Sequence, residues 1–153
     1  MIKEGYTSNE RIKEESDFLR GNISNLLHDD SITHFPSEEE FLLKFHGIYQ
    51  EDNRDERLIR KKNGQGRNWL FMLRLRLPGG RITPSQWLAA ETLSDQFGNG
   101  TLKLTTRQAI QIHGVVKQDL KQTMKDIHHH DCRQWRRHTQ CHGFSAPGRF
   151  RHP

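Results

Sequence analysis

Apolar and polar residues alternate with a period of two through Phe71-Met72-Leu73-Arg74-Leu75-Arg76-Leu77, just ahead of Pro78-Gly79-Gly80. Successive side chains of a strand point to opposite sides. The spacing therefore predicts a strand over 69–77, with Phe71, Leu73, Leu75 and Leu77 on a core face and Met72, Arg74 and Arg76 on the other. The pattern returns over 101–105, where Leu102 and Leu104 share one face and Lys103 and Thr105 the other. It returns again over 107–116, with Ile110 and Ile112 inward and Arg107, Gln111 and His113 facing away. Between the first two strands the period lengthens to that of a helix, Ala90, Leu93 and Phe97 forming its buried stripe. Thr83, Pro84 and Gln86 fall at N-cap, N1 and N3 of a capping box, and Gly98 or Gly100 ends the helix. A last helix starts near Gln118.

The first part of the chain is weaker in pattern. Residues 1–35 are polar, with a faint helical spacing through Ile12, Glu15, Phe18 and Leu19 that stops at Gly21. Ser37 and Glu40 suggest another capping box, followed by Phe41, Leu42 and Phe45 in a short helix ending at Gly47. Residues 51–67 are dense in both charges and contain Asn63-Gly64-Gln65-Gly66, the pattern of an exposed helix and a flexible connector. The chain thus divides into an arm and connector (1–68), a central unit (69–127) and a tail (128–153). The central order is β-α-β-β-α, giving an α+β fold: a ferredoxin-like half-domain lacking its last strand. An open edge of that kind needs a partner. The folded part is expected to be 69–127, with 37–50 packed on it and the arm mobile.

Charge changes the picture of the central sheet. If its strands lie side by side, the face away from the core gathers Arg74, Arg76, Lys103 and Arg107 with no carboxylate among them. A solvated face mixes both signs, so this one is suited to an anion. The whole chain agrees in sign, with 24 Lys and Arg against 19 Asp and Glu in 153 residues. Hydrophobic residues make up only 32%, so a core is expected only in the middle of the chain. No apolar run approaches the roughly 18 residues of a membrane span, and no signal-peptide region opens the chain. Cys132 and Cys141 give no disulfide framework. The expectation is a cytoplasmic protein with no membrane partner.

Three separated motifs, "FLLKFHGIYQEDNRDER", "FMLRLRLPGGRITPSQW" and "NGTLKLTTRQAIQIHGV", resemble the hemoproteins of assimilatory, NADPH-dependent sulfite reductases, within the siroheme nitrite/sulfite reductase family. The resemblance covers about residues 9–127. It implies the N-terminal arm and first half-domain of an enzyme that reduces sulfite to sulfide at siroheme, with electrons arriving through a [4Fe-4S] cluster. It also implies two kinds of partner: the missing C-terminal domains and a flavoprotein α component. By motif, Arg74 matches an arginine that reaches the substrate anion. Lys103 and Arg107 match residues that bind siroheme carboxylates. Thr105, Thr106, Gln111 and His113 match cofactor-side polar positions, and Arg76, on the same face, is expected to be cofactor-binding with them. Guanidinium groups suit such ligands because they stay charged and offer parallel donors. The family's cluster cysteines lie beyond this chain, so the piece alone is expected to retain no cofactor and to be inactive.

Other readings weigh less. A nucleic-acid-binding sheet of similar topology stacks bases on aromatic residues, and the cationic face offers none in phase, so no nucleic-acid partner is expected. A siroheme nitrite reductase is the alternative within the family, disfavoured by "FHGIYQEDNRDER". His46, in its Phe-His-Gly turn, is read as structural. The tail carries His128-His129-His130, Cys132, His138, Cys141 and His142, but its Cys-x8-Cys spacing fits no common zinc site and no metal is assigned. Residues 131–153 lack hydrophobic periodicity. Suitably chosen codons for them, read one nucleotide later, give a segment resembling the family's continuation, so this tail is expected to be out-of-frame and disordered.

Overall fold

The computed structural model describes Gly5 and residues 7–129. Its elements run α1 (Ser8–Glu15), α2 (Ile23–His28), α3 (Ser37–Leu43), β1 (Ile48–Asp52), α4 (Arg54–Lys62), β2 (Trp69–Arg76), α5 (Pro84–Phe97), β3 (Leu102–Thr105), β4 (Ala109–Val115) and α6 (Lys117–His129). The strands form an antiparallel sheet in the order β1-β2-β4-β3. The fold is α+β with the expected β-α-β-β-α unit at its centre. Phe71, Leu73, Leu75 and Leu77 are buried together with Ile110 and Ile112. The capping box at α5 is complete, Thr83 and Gln86 each satisfying the other's backbone N–H.

The flank of β2 away from β4 is filled from within the chain. β1 pairs antiparallel with β2, Ile48 opposite Leu73 and Asp52 opposite Trp69. It begins just past the expected helix end at Gly47 and takes in Glu51 and Asp52 of the charged segment, of which only Arg54–Lys62 is helical. The outer edge on the other side is β3. Leu104 shares the core-side face of its partner Ile110 yet remains 68% exposed, because an outermost strand has packing on one flank only.

From Ser16 to Phe35 the arm contributes buried residues to the fold, which corrects the expectation of mobility over that stretch. Ile23, Leu27 and Phe35 are buried in one cluster with Phe71, Leu73 and Leu120. Phe35 meets Phe71 edge-on at 5.7 Å between ring centroids. Gln50 accepts from the Phe35 N–H at 2.7 Å and donates to its carbonyl at 3.2 Å. Lys117, at the start of α6, is itself buried and its ammonium donates to the Asp29 carbonyl at the end of α2. The expected helical spacing through Phe18 fails: α1 stops at Glu15, and Asp17, Phe18 and Leu19 take left-handed φ values. Ser37 is the first residue of α3 rather than its cap, Pro36 standing at the N-cap without a side-chain bond.

A bulge bends β4 against β2. The register shifts between Phe71 and Leu73, which pair with Val115 and Ile112. Gly114 absorbs the extra residue at φ +85, where a Cβ would come within 2.9 Å of the Asn99 Cβ. Val115 is thereby returned to the core, fully buried. α6 continues to His129, two residues past the expected boundary at 127. The expectations for 130–153, including an out-of-frame tail with Cys132 and Cys141, lie outside the described residues. Among those residues no helix is long and apolar enough to cross a membrane.

Candidate anion-binding face

Strand register decides which side chains meet. Lys103 pairs with Gln111, and Gln111 with Arg74; next along, Thr105 pairs with Ala109, and Ala109 with Arg76. Directly paired residues point to the same side of a sheet. Arg74, Arg76, Lys103, Thr105 and Gln111 therefore share the face away from the core, as the alternation predicts. β1 extends this face with Tyr49 opposite Met72 and Glu51 opposite Leu70.

Arg107 was expected at the start of a strand and instead sits in the turn from β3 to β4 with the exposed Thr106 and Gln108. The turn is held by the Gln108 N–H donating to the Thr105 carbonyl at 3.1 Å and the Leu77 N–H donating to the Gln108 carbonyl at 3.2 Å. It still brings Arg107 to the site. Arg74, Arg76, Pro78 and Arg107 line a hollow of about 390 Å³. A smaller hollow of about 70 Å³ shares Arg74 and Arg76 and is otherwise lined by Lys44, Phe45, His46, Gly47 and Tyr49. Lys103, Thr105, Thr106, Gln111 and His113 line neither.

Arg74 is the most constrained of the cations. Its backbone N–H donates to the Gly47 carbonyl at 2.8 Å, and its Nη1 donates to the Tyr49 hydroxyl at 3.0 Å. Gly47 is left-handed (φ +77), and a Cβ there would lie 3.2 Å from the Arg74 carbonyl oxygen. Two polar atoms on this face, Arg74 Nε and Thr105 Oγ1, are buried with no hydrogen-bond partner among the described residues. A buried donor or acceptor left unmade costs free energy, so each suits a polar group not supplied by the chain. Among the described residues none of Arg74, Arg76, Lys103 and Arg107 forms an ion pair.

Glu51 corrects the expectation of a face without a carboxylate. Its Oε2 lies 3.6 Å from His113 Nδ1, and His113 Nε2 lies 3.2 Å from Gln111 Oε1. Burial, then the nearby Lys103, push the His113 imidazole below its ordinary value of 6.5, and Glu51 opposes them in part. The unfolded chain therefore binds the proton more readily. The stability His113 contributes as a neutral ring is present above pH 6.5 and is lost as pH falls through its lower folded value. His113→Gln is expected to flatten the dependence of the unfolding midpoint on pH across that window, measured by urea titration at several pH values. An unchanged slope would contradict it.

Tyr49 and Glu51 are the site residues that alternation missed, because the strand carrying them was not recognised. Tyr49 also puts an aromatic ring on a face expected to have none, but the Arg74 Cζ lies 4.8 Å from its centroid and occupies it. Among the described residues no group of three or more His, Cys, Asp or Glu is arranged to hold a metal ion.

Residues 62–130 match the nitrite/sulfite reductase ferredoxin-like half domain. The chain is 56% identical over 120 residues to the sulfite reductase [NADPH] subunit β of Saccharomyces cerevisiae, covering 78% of this chain and 8% of the yeast protein. It is 47% identical over 119 residues to the sulfite reductase [NADPH] hemoprotein β-component of Bacillus subtilis, covering 78% of this chain and 21% of that one. The chain thus spans far less than the full length of these relatives. The Mycobacterium tuberculosis NirA protein superposes with a TM-score of 0.63 at 14% identity, over 82% of this chain and 24% of that structure, a likeness of fold alone. With the half-domain match and this level of identity, the chain belongs to the nitrite/sulfite reductase family, of which it spans a part.

Proposed function

We propose that this chain forms the cationic wall of a siroheme- and sulfite-binding site in an NADPH-dependent sulfite reductase hemoprotein, working with a flavoprotein α component. The observation that carries the proposal is the face on which Arg74, Arg76, Lys103 and Thr105 converge by register, with Arg107 brought beside it by the turn. The residues fit the cofactor: cations that form no ion pair among the described residues suit its carboxylates, and Thr105 Oγ1, without a partner among them, suits a polar edge. They do not fit the cluster, for which the described residues offer no ligand set.

Bound siroheme supplies the redox chemistry. The chain's own residues supply charge and position. Lys103 and Arg107 would hold carboxylates by charge-assisted bonds. Arg74 would hold the sulfite oxyanion and keep its charge balanced as oxygens leave, while Arg76, on the same face, would join the cofactor-binding cations. Arginine suits this role because it stays protonated while protons are consumed. His113, whose proton affinity is lowered by burial and by Lys103, would as the neutral ring present one nitrogen as donor and one as acceptor. Thr106 and Gln111 would complete the polar edge toward the cofactor.

The test is siroheme content in a complete protein carrying this sequence. Arg107→Ala is expected to weaken siroheme retention by about ten- to a hundred-fold, the loss of a bond to a charged group, with secondary structure unchanged. Full siroheme content in both Arg107→Ala and Lys103→Ala would remove the cofactor reading.

A further inference from the structure

We infer that Tyr49 is a positioning residue that fixes the Arg74 guanidinium for a two-point grip on an oxyanion. The inference rests on the proposed site and adds to it a residue from β1. An arginine on an open sheet face spreads over many rotamers, and ordering it opposes binding. Here the same short segment holds Arg74 at both ends. The Gly47 carbonyl takes its backbone N–H at 2.8 Å, and the Tyr49 hydroxyl accepts from Nη1 at 3.0 Å. The guanidinium carbon also lies 4.8 Å from the Tyr49 ring centroid, within the range of cation–π attraction. Which nitrogen Tyr49 takes is the decisive detail. Using Nη1 leaves the edge formed by Nε and Nη2, whose N–H groups run parallel and match two oxygens of one anion. Nε on that edge is the buried donor with no partner among the described residues.

The test combines a side-chain signal with kinetics. In the cofactor-free chain labelled with 15N-arginine, the Arg74 Nη–H resonance that carries the bond to Tyr49 is expected to exchange with solvent about ten-fold faster in Tyr49→Leu than in the unaltered chain, on the scale of one lost charged hydrogen bond. In the complete enzyme, Tyr49→Leu is expected to raise the sulfite KM about ten-fold on the same scale, with a smaller change in kcat. Tyr49→Phe, which keeps the ring and its packing, should fall between. Combining Tyr49→Leu with Arg74→Ala should be no worse than Arg74→Ala alone, whereas a merely structural role would make the two losses add. If Arg74→Ala raises KM but Tyr49→Leu and Tyr49→Phe leave both KM and exchange unchanged, the positioning role is overturned and the site stands. If Arg74→Ala itself leaves KM unchanged, the site is wrong and the inference falls with it.

Discussion

Phe35→Ala is expected to lower the unfolding free energy by about 3–5 kcal/mol, the usual cost of emptying a buried aromatic site. Phe35 is 1% exposed and packs edge-on against Phe71 of the central strand. Its N–H and carbonyl are both satisfied by the Gln50 side chain from β1. Removing the ring opens a cavity where arm, edge strand and core strand meet, and flanking side chains can fill it only partly. Phe18, 81% exposed, is the control, and Phe18→Ala should stay within about 0.5 kcal/mol of the unaltered chain. Urea unfolding of the two variants decides it. A loss below about 1 kcal/mol for Phe35→Ala, on the scale of an average point mutation, would mean that the arm does not share the core.

This is also where the sequence was hardest to read. β2 was legible because Phe71, Leu73, Leu75 and Leu77 alternate with polar residues and are all buried on one side. α5 was legible because Thr83 and Gln86 bond each other's backbone. β1 hides its period. Its core side carries Ile48 and then Gln50, a polar residue placed there to satisfy the backbone of Phe35. With one aliphatic residue inward, no alternation shows. The arm fails in a related way: Ile23 and Leu27 stand one turn apart in a helix of only six residues, Phe35 lies outside any element, and their burial depends on partners distant in sequence. Lys117 reads as a surface residue until the Asp29 carbonyl is seen to receive it. The cationic face was legible wherever it rests on β2, β3 and β4. Glu51 and Tyr49 came to it only with the unseen strand, and Arg107 reached it through a turn rather than a strand.

The other large effect is expected at Arg74. It lines both hollows on the face, and among the described residues its buried Nε has no partner and its guanidinium no ion pair. Its positive charge is therefore available to a ligand rather than spent on a neighbour. Loss of a charge-assisted pair with an oxyanion corresponds to about ten- to a hundred-fold in affinity. Arg107, out in the turn, is assigned to a cofactor carboxylate, so the two arginines should separate substrate binding from cofactor retention. The decisive measurement is sulfite kcat/KM and siroheme content on the same preparations of a complete protein carrying Arg74→Ala. The expected result is a kcat/KM about ten- to a hundred-fold lower at near-normal siroheme content. Unaltered kcat/KM at full siroheme content would contradict the assignment of this face to the substrate.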